Sequence, residues 1–188
     1  MAVIYLSKGL PVRYSDGTLT ISHRGAEFAL TGERAEVWER GRCGFHSDLY
    51  GSQFTALREI AGQGLAETSE DTANESFFRL MTNCIICPAK DCNLTILLDP
   101  LERAIWRWLT KAGLRLTIAE LVFLVERKVK PSPGLLGEAN RQALTETIYT
   151  RETIFDGILE SRMEQSPARD ITVKAVLSLV GKKKVILI

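Results

Sequence analysis

The sequence predicts an α+β protein of two small domains, residues 1–76 and 99–188, joined by a cysteine-rich connector over residues 77–98. Three observations lead there. Short β-branched and aromatic runs with turn signals fill residues 3–30. Helical periodicity then takes over, twice in the first half and through most of the second. Between the halves lies Asn83 to Asn93, a stretch holding three of the four cysteines, Cys84, Cys87 and Cys92.

The first half opens with a strand over Val3–Leu6. Val12–Tyr14 and Thr18–Ile21 flank Ser15-Asp-Gly17, and Asp-Gly supplies the positive φ of a tight hairpin turn. Glu27–Leu30 is a third strand. Thr31 is placed to cap a helix over Gly32–Arg40 with Ala35, Val37 and Trp38 inward. Gly41 and Gly44 break that helix and leave Cys43 and His46 in a loop. A second helix follows Ser52, with Phe54, Leu57, Ile60 and Ala61 on one stripe, and stops at Gly62-Gln-Gly64. Leu65–Glu67 returns as a short strand. Ser69–Ser76 is polar and acidic and reads as a wing tip or linker, and Phe77, Phe78, Leu80 and Met81 pack against a domain.

The second half contains the clearest helix start. Thr95–Leu98 is a strand that delivers the chain to Asp99 as N-cap, Pro100 as first helical residue and Glu102 closing a capping box. That helix runs to about Ala112 with Leu101, Ala104, Ile105, Trp108 and Leu109 on one face, and Trp106 off it. Thr117 with Glu120 makes a second capping box, ahead of Leu121, Val122, Leu124 and Val125. A third helix over Gly137–Tyr149 turns Ala139, Ala143, Leu144 and Ile148 inward. A fourth, capped by Thr150, buries Ile154, Phe155, Ile158, Leu159 and Met163. A fifth begins at Ser166-Pro167 and ends at Gly181, and Lys182–Lys184 precede a terminal strand, Val185–Ile188.

Strands, two helices and a returning strand, in the first half, have the order of a small winged-helix domain. The run Glu27 to Trp38, with Leu30-Thr31, Ala35 and Val37-Trp38, resembles the first-helix pattern of PqqD-like peptide-recognition modules. That resemblance implies a groove between a strand and a helix that takes a leader peptide. In the second half a helix, a short link and a helix introduced by Leu-Thr-x-x-Glu-Leu resemble the opening of a winged-helix or MarR-like DNA-binding domain. About eight residues, Lys128 to Leu135, follow that second helix, more than the three or four of a tight helix-turn-helix.

The cysteines carry the chemistry. Cys84, Cys87 and Cys92 have the spacing C-x2-C-x4-C, and two residues between thiols let one turn present both sulfurs to one metal ion. The fourth ligand would be Cys43, or alternatively His46, and the centre zinc or an iron–sulfur cluster. The same cysteines also read as inert, half-buried thiols or as a disulfide.

Composition bounds the partners. The chain of 188 residues is 45% hydrophobic and 25% charged, room for one large domain or two small ones, and its net charge is +1. Residues 1–95 carry nine cations against twelve acids and residues 96–188 fifteen against eleven, so a polyanion would meet the second half. There Asn140, Arg141 and Gln142 are types that read base edges, and Lys182, Lys183 and Lys184 types that contact phosphates. The same residues equally suit a solvated helix face and a guarded edge strand.

No basic start followed by a long apolar core stands at Met1–Leu10, and the apolar runs Leu121–Val125 and Val185–Ile188 are too short to span a bilayer. A cytoplasmic protein without a membrane partner is expected. Nucleotide-binding glycine loops, a Gly-x-Ser-x-Gly elbow and an HExxH motif are missing, so no enzyme is expected. The expected function is a DNA-binding transcription regulator whose zinc or iron–sulfur site braces or senses. The alternative is a peptide- or protein-binding accessory module without catalysis. The sticky terminal strand would pair within the chain or in a homodimer.

Overall fold

The mixed α/β character of the sequence is the character of the fold. A computed structural model describes residues 3–42, 49–71, 73–89, 98–111, 116–136, 140–150 and 156–188, and among these residues lie seven strands and eight helices. Strand β1 (Ile4–Ser7) is followed by an antiparallel meander of β2 (Leu10–Ser15), β3 (Thr18–His23) and β4 (Ala26–Thr31). Asp16 at φ 51° and Gly17 at φ 72° make the expected first turn. Arg24 at φ 51° and Gly25 at φ 82° make a second turn of the same kind. Two helices follow, α1 (Gly32–Gly41), which packs on β1, β3 and β4, and α2 (Ser52–Gly62), which packs on α1 and β5, and β5 (Ala66–Ser69) returns antiparallel to β1.

Four consecutive buried residues mark β1 as covered on both faces. Tyr5 and Leu6 point to opposite faces, as neighbours on a strand must, and they enter different cores. Tyr5 packs with Leu19, Ile21, Leu30, Val37, Trp38 and Ile60. Trp38 is fully buried, and its indole N–H donates to the Lys8 carbonyl at 2.9 Å. The Tyr5 hydroxyl donates to the Val37 carbonyl at 3.0 Å, and burial pushes its pKa up to about 12. Gly41 lies against the same strand, where a β-carbon would stand 2.3 Å from Ser7 Oγ.

Leu6 belongs to the second core, built from α3 (Asn74–Thr82), α4 (Pro100–Lys111), α5 (Ile118–Glu126), α6 (Arg141–Ile148), α7 (Asp156–Glu164) and α8 (Arg169–Gly181). Ile118 to Leu124 are buried without a break, so α5 is the axis the others surround. Both predicted capping boxes are made: Asp99 and Glu102 exchange bonds of 2.8 and 3.0 Å, and Thr117 and Glu120 bonds of 3.3 and 2.7 Å. Strands β6 (Ile86–Pro88) and β7 (Val185–Leu187) pair antiparallel, and Leu116 bridges to Ile86 on the other side. The terminal strand thus has a partner within its own chain.

Several expectations change. Ser69–Ser76 is not a free linker: Asp71 accepts the Ala73 N–H at 3.0 Å and the Ser76 hydroxyl at 2.8 Å, starting α3, which runs through the apolar Phe77–Met81 segment. Ile86–Pro88 forms a strand where a ligand-presenting turn was expected. Ala143 is exposed and Ile158 is 48% exposed, whereas Leu144 and Ile148 of α6 and Leu159 and Met163 of α7 are the buried positions among the described residues. The expected third helix begins at Arg141, with Asn140 as its N-cap. The expected strand Thr95–Leu98, up to its last residue, and the inward positions Ala139, Ile154 and Phe155 lie outside the described residues.

Candidate functional site

Helix α4 has one apolar face on the second core and an opposite face that is basic. Ile105, Trp108 and Leu109 are buried, whereas Arg103, Arg107 and Lys111 are exposed. A spacing of four residues keeps the three cations within a sector of about 80° and spreads them over about 12 Å of helix. The helix contains one carboxylate, Glu102, and that group is turned inward at 2% exposure. Lys182 reaches it from the end of α8, with Nζ at 2.7 Å from both carboxylate oxygens.

Burial alone would raise the Glu102 pKa. Hydrogen bonds from Lys182, Ser178 and the Asp99 backbone, with the Lys182 charge, outweigh it and hold the acid below its ordinary value. The acid is therefore neutralised from within, and its contact sets the turn Lys182–Lys184 beside the first turn of α4. Lys182 and Lys183 are exposed, Lys184 is half-buried, and Lys183 holds φ at 55°. Asp99, exposed at the helix start, is the acid that faces this end. Arg103 donates to the Leu98 carbonyl at 3.0 Å, which leans its guanidinium toward that end. Trp106 is half-buried between Arg103 and Arg107, and its indole N–H lacks a hydrogen-bond partner among the described residues.

The other proposed base-reading residues are used differently. Asn140 folds back on the preceding turn, its amide donating to the Leu136 carbonyl at 2.9 Å and the Pro133 carbonyl at 3.1 Å. Gln142 donates to Glu146 of the same helix at 2.7 Å, and Arg141 is exposed. The structure brings Lys182 onto Glu102 of α4, and Lys183 and Lys184 follow it in the same turn. The sequence expectation did not include the α4 cations, although Arg103, Arg107 and Lys111 repeat every four residues opposite the apolar stripe.

Of the metal-ligand candidates, Cys84 and Cys87 are described, and Cys43, His46 and Cys92 lie outside the described residues. Cys84 follows α3, is buried, and donates to the Leu80 carbonyl at 3.6 Å. Burial pushes its thiol up to about 12, the state of a protonated core cysteine rather than of a thiolate. Cys87 lies in β6 opposite Ile186 and is also buried, and the two cysteines are thiols, not a disulfide. Among the described residues no group of three or more His, Cys, Asp or Glu side chains is placed to hold a metal ion.

Where the two cores meet, Lys8 is 2% exposed and pairs with Glu67 of β5 at 2.6 Å. His23 closes the inward stripe Leu19–Ile21–His23 of β3 and is 5% exposed. Period-two alternation alone would have turned this histidine inward. No helix among the described residues is long and apolar enough to cross a membrane. Compared with protein-family models, curated proteins and solved structures, the chain matches none.

Proposed function

We propose that this chain is a DNA-binding regulator without catalysis, which lays α4 and the Lys182–Lys184 turn against a phosphate backbone. The observation that carries the reading is the exposed row Arg103, Arg107 and Lys111 on a helix whose only carboxylate is buried beneath Lys182. Cations at fixed spacing on a rigid helix displace counterions from a duplex, and this gives affinity that falls steeply with salt. In this reading the two halves are winged-helix-like units, with β1–β5 and β6–β7 as their small sheets.

The test is fluorescence anisotropy with a labelled duplex across a salt series, on wild type and on Arg107→Glu and Lys111→Glu. Wild type is expected to bind with Kd of about 10⁻⁴–10⁻⁶ M before sequence preference is added. Each variant should flatten the slope of log K against log salt by about one or more. Equal slopes for all three proteins overturn the assignment of this face.

A metal extends the proposal. Zinc or an iron–sulfur cluster on Cys84, Cys87 and Cys92, with Cys43 or His46 fourth, would brace the junction, and Cys84 would have to give up its proton. Metal analysis and an absorption spectrum of anaerobically purified protein decide this, with Cys87→Ser alongside. Stoichiometric metal lost in the variant supports the centre, and metal-free wild type overturns it.

A second reading has its own observation. Strand β2 is an edge of the meander, exposed from Pro11 to Ser15, with Val12 at 55% and Tyr14 at 66% exposure. An extended peptide adds to such an edge through backbone bonds, as the resemblance to PqqD-like modules implies. Selection from a random-peptide display library, repeated on Arg13→Pro, tests it. Sequences enriched on wild type and lost on the variant support peptide capture, and the absence of any enrichment sinks it.

A further inference from the structure

His23 is a buried base. Neither ring nitrogen has a hydrogen-bond partner among the described residues, and the nearby strand end adds a second such group, Ser7 Oγ. An imidazole in this state is costly to keep, so the groups facing it matter. From the corner between β1 and β2 comes Lys8, and from the turn between β3 and β4 comes Arg24; both repel a proton on the ring. The Glu67 carboxylate of β5 pairs with Lys8. Cys84, after α3, lies in the field of the same three groups and is uncharged.

The ring also backs a tie between the two parts of the fold. Gly9 packs so closely on this corner that a β-carbon there would stand 3.3 Å from His23 Cβ and 2.8 Å from Ile21 Cγ2. The Gly9 N–H donates to the Leu187 carbonyl of β7 at 3.2 Å. Whatever displaces Gly9 therefore pulls on the terminal strand.

We propose that this corner is a proton-operated latch: a proton on His23 sets a third positive charge beside Lys8 and Arg24, and the corner relieves it by opening the Gly9–Leu187 hydrogen bond to admit water. Burial, then Lys8 and Arg24, hold the closed-state pKa below the ordinary 6.5. The open state binds the proton first as pH falls, so the latch is fully closed above 6.5 and loosens below it. Strand β7 directly follows Lys184, so opening shifts the basic turn; that consequence rests on the DNA-binding reading, whereas the latch does not.

The experiment is amide hydrogen exchange at Gly9 by NMR, at pH 7.5 and 5.5, corrected for the intrinsic rate. In wild type the opening equilibrium is expected to rise by up to about tenfold at pH 5.5, one pH unit below the free imidazole value. His23→Leu removes the unpartnered nitrogens, so it should fold at least as stably at pH 7.5 and show the same Gly9 protection at both values. His23→Gln, neutral at both, should also be flat and decides the matter if the leucine variant does not fold. Equal opening of wild type at both pH values overturns the latch, as does a wild-type pH response in either variant. Loss of DNA binding at every pH would sink the functional reading and leave the Gly9 result standing.

Discussion

Replacing Glu102 by glutamine separates the structural use of this residue from its electrostatic one, because the two move in opposite directions. The carboxylate is buried, takes both bonds from Lys182 at 2.7 Å, and accepts the Asp99 N–H at 3.0 Å. Glutamine keeps the shape and one acceptor for Asp99, but its amide nitrogen cannot accept from Lys182 and its oxygen carries no charge, so charge-assisted bonds are lost or weakened. Such bonds contribute about 1.5–3 kcal/mol against about 0.5–1.5 for neutral ones. Lys182 is 39% exposed and can swing into water, so the loss stays near the low end, about 1–2 kcal/mol. With a urea dependence of about 2 kcal/mol per molar, the unfolding midpoint should fall by roughly 0.5–1 M.

At the same time the basic face gains one net positive charge. One added phosphate contact steepens the salt slope by about 0.9, a factor of about 3.5 between 50 and 200 mM salt. Urea unfolding and duplex anisotropy on the same preparations should show stability down and low-salt affinity up. If both fall together, Glu102 acts only by holding the surface in shape, and the charge argument is wrong. The pH dependence supplies a second check. The folded pKa lies below the ordinary 4.5, so this stabilisation is full above 4.5 and is lost as pH falls through the folded value. Glutamine should remove that part of the acid sensitivity.

Trp38→Phe keeps most of the buried ring but leaves the Lys8 carbonyl without its donor, and should cost about 1–3 kcal/mol in urea unfolding. Gly41→Ala places a methyl 2.3 Å from Ser7 Oγ and 2.6 Å from Tyr5 Cε2, for an expected loss of about 1–3 kcal/mol; a fully stable variant would show that this corner can relax. Cys84, protonated and buried, should resist iodoacetamide in native protein at pH 8 and react in urea, as read by peptide mass mapping. Prompt native labelling would contradict the burial of that thiol.

Local chemistry made much of the fold legible. Asp16-Gly17 had to turn, and Thr117 with Glu120 had to start a helix. These are decisions among residues within a few positions of one another, and short-range sterics and hydrogen bonding settle them. The start of α3 was harder, because its N-cap is Ala73, which offers no capping side chain, and the Asp71 bonds that fix the turn ahead of it lie in a polar stretch that reads as linker. Ile86–Pro88 was harder still, since a run of three residues becomes a strand only when another strand reaches it.

What tertiary structure alone decided is which distant pieces meet. The pairing of β6 with β7 and of β1 with β5 joins segments far apart in the chain, and Glu102 finds Lys182 across a separation of 80 residues. Those contacts depend on how two cores close around β1 and α5, and no local preference encodes that. The same closure conceals Cys84 and Lys8, turns the α4 cations outward, and leaves the His23 ring nitrogens without a hydrogen-bond partner among the described residues. By itself the sequence determined the turns, the capped helix starts and most of the apolar stripes; burial, which is a property of the whole chain, decided which faces water and a partner can reach, and left Ala143 and Ile158 outside.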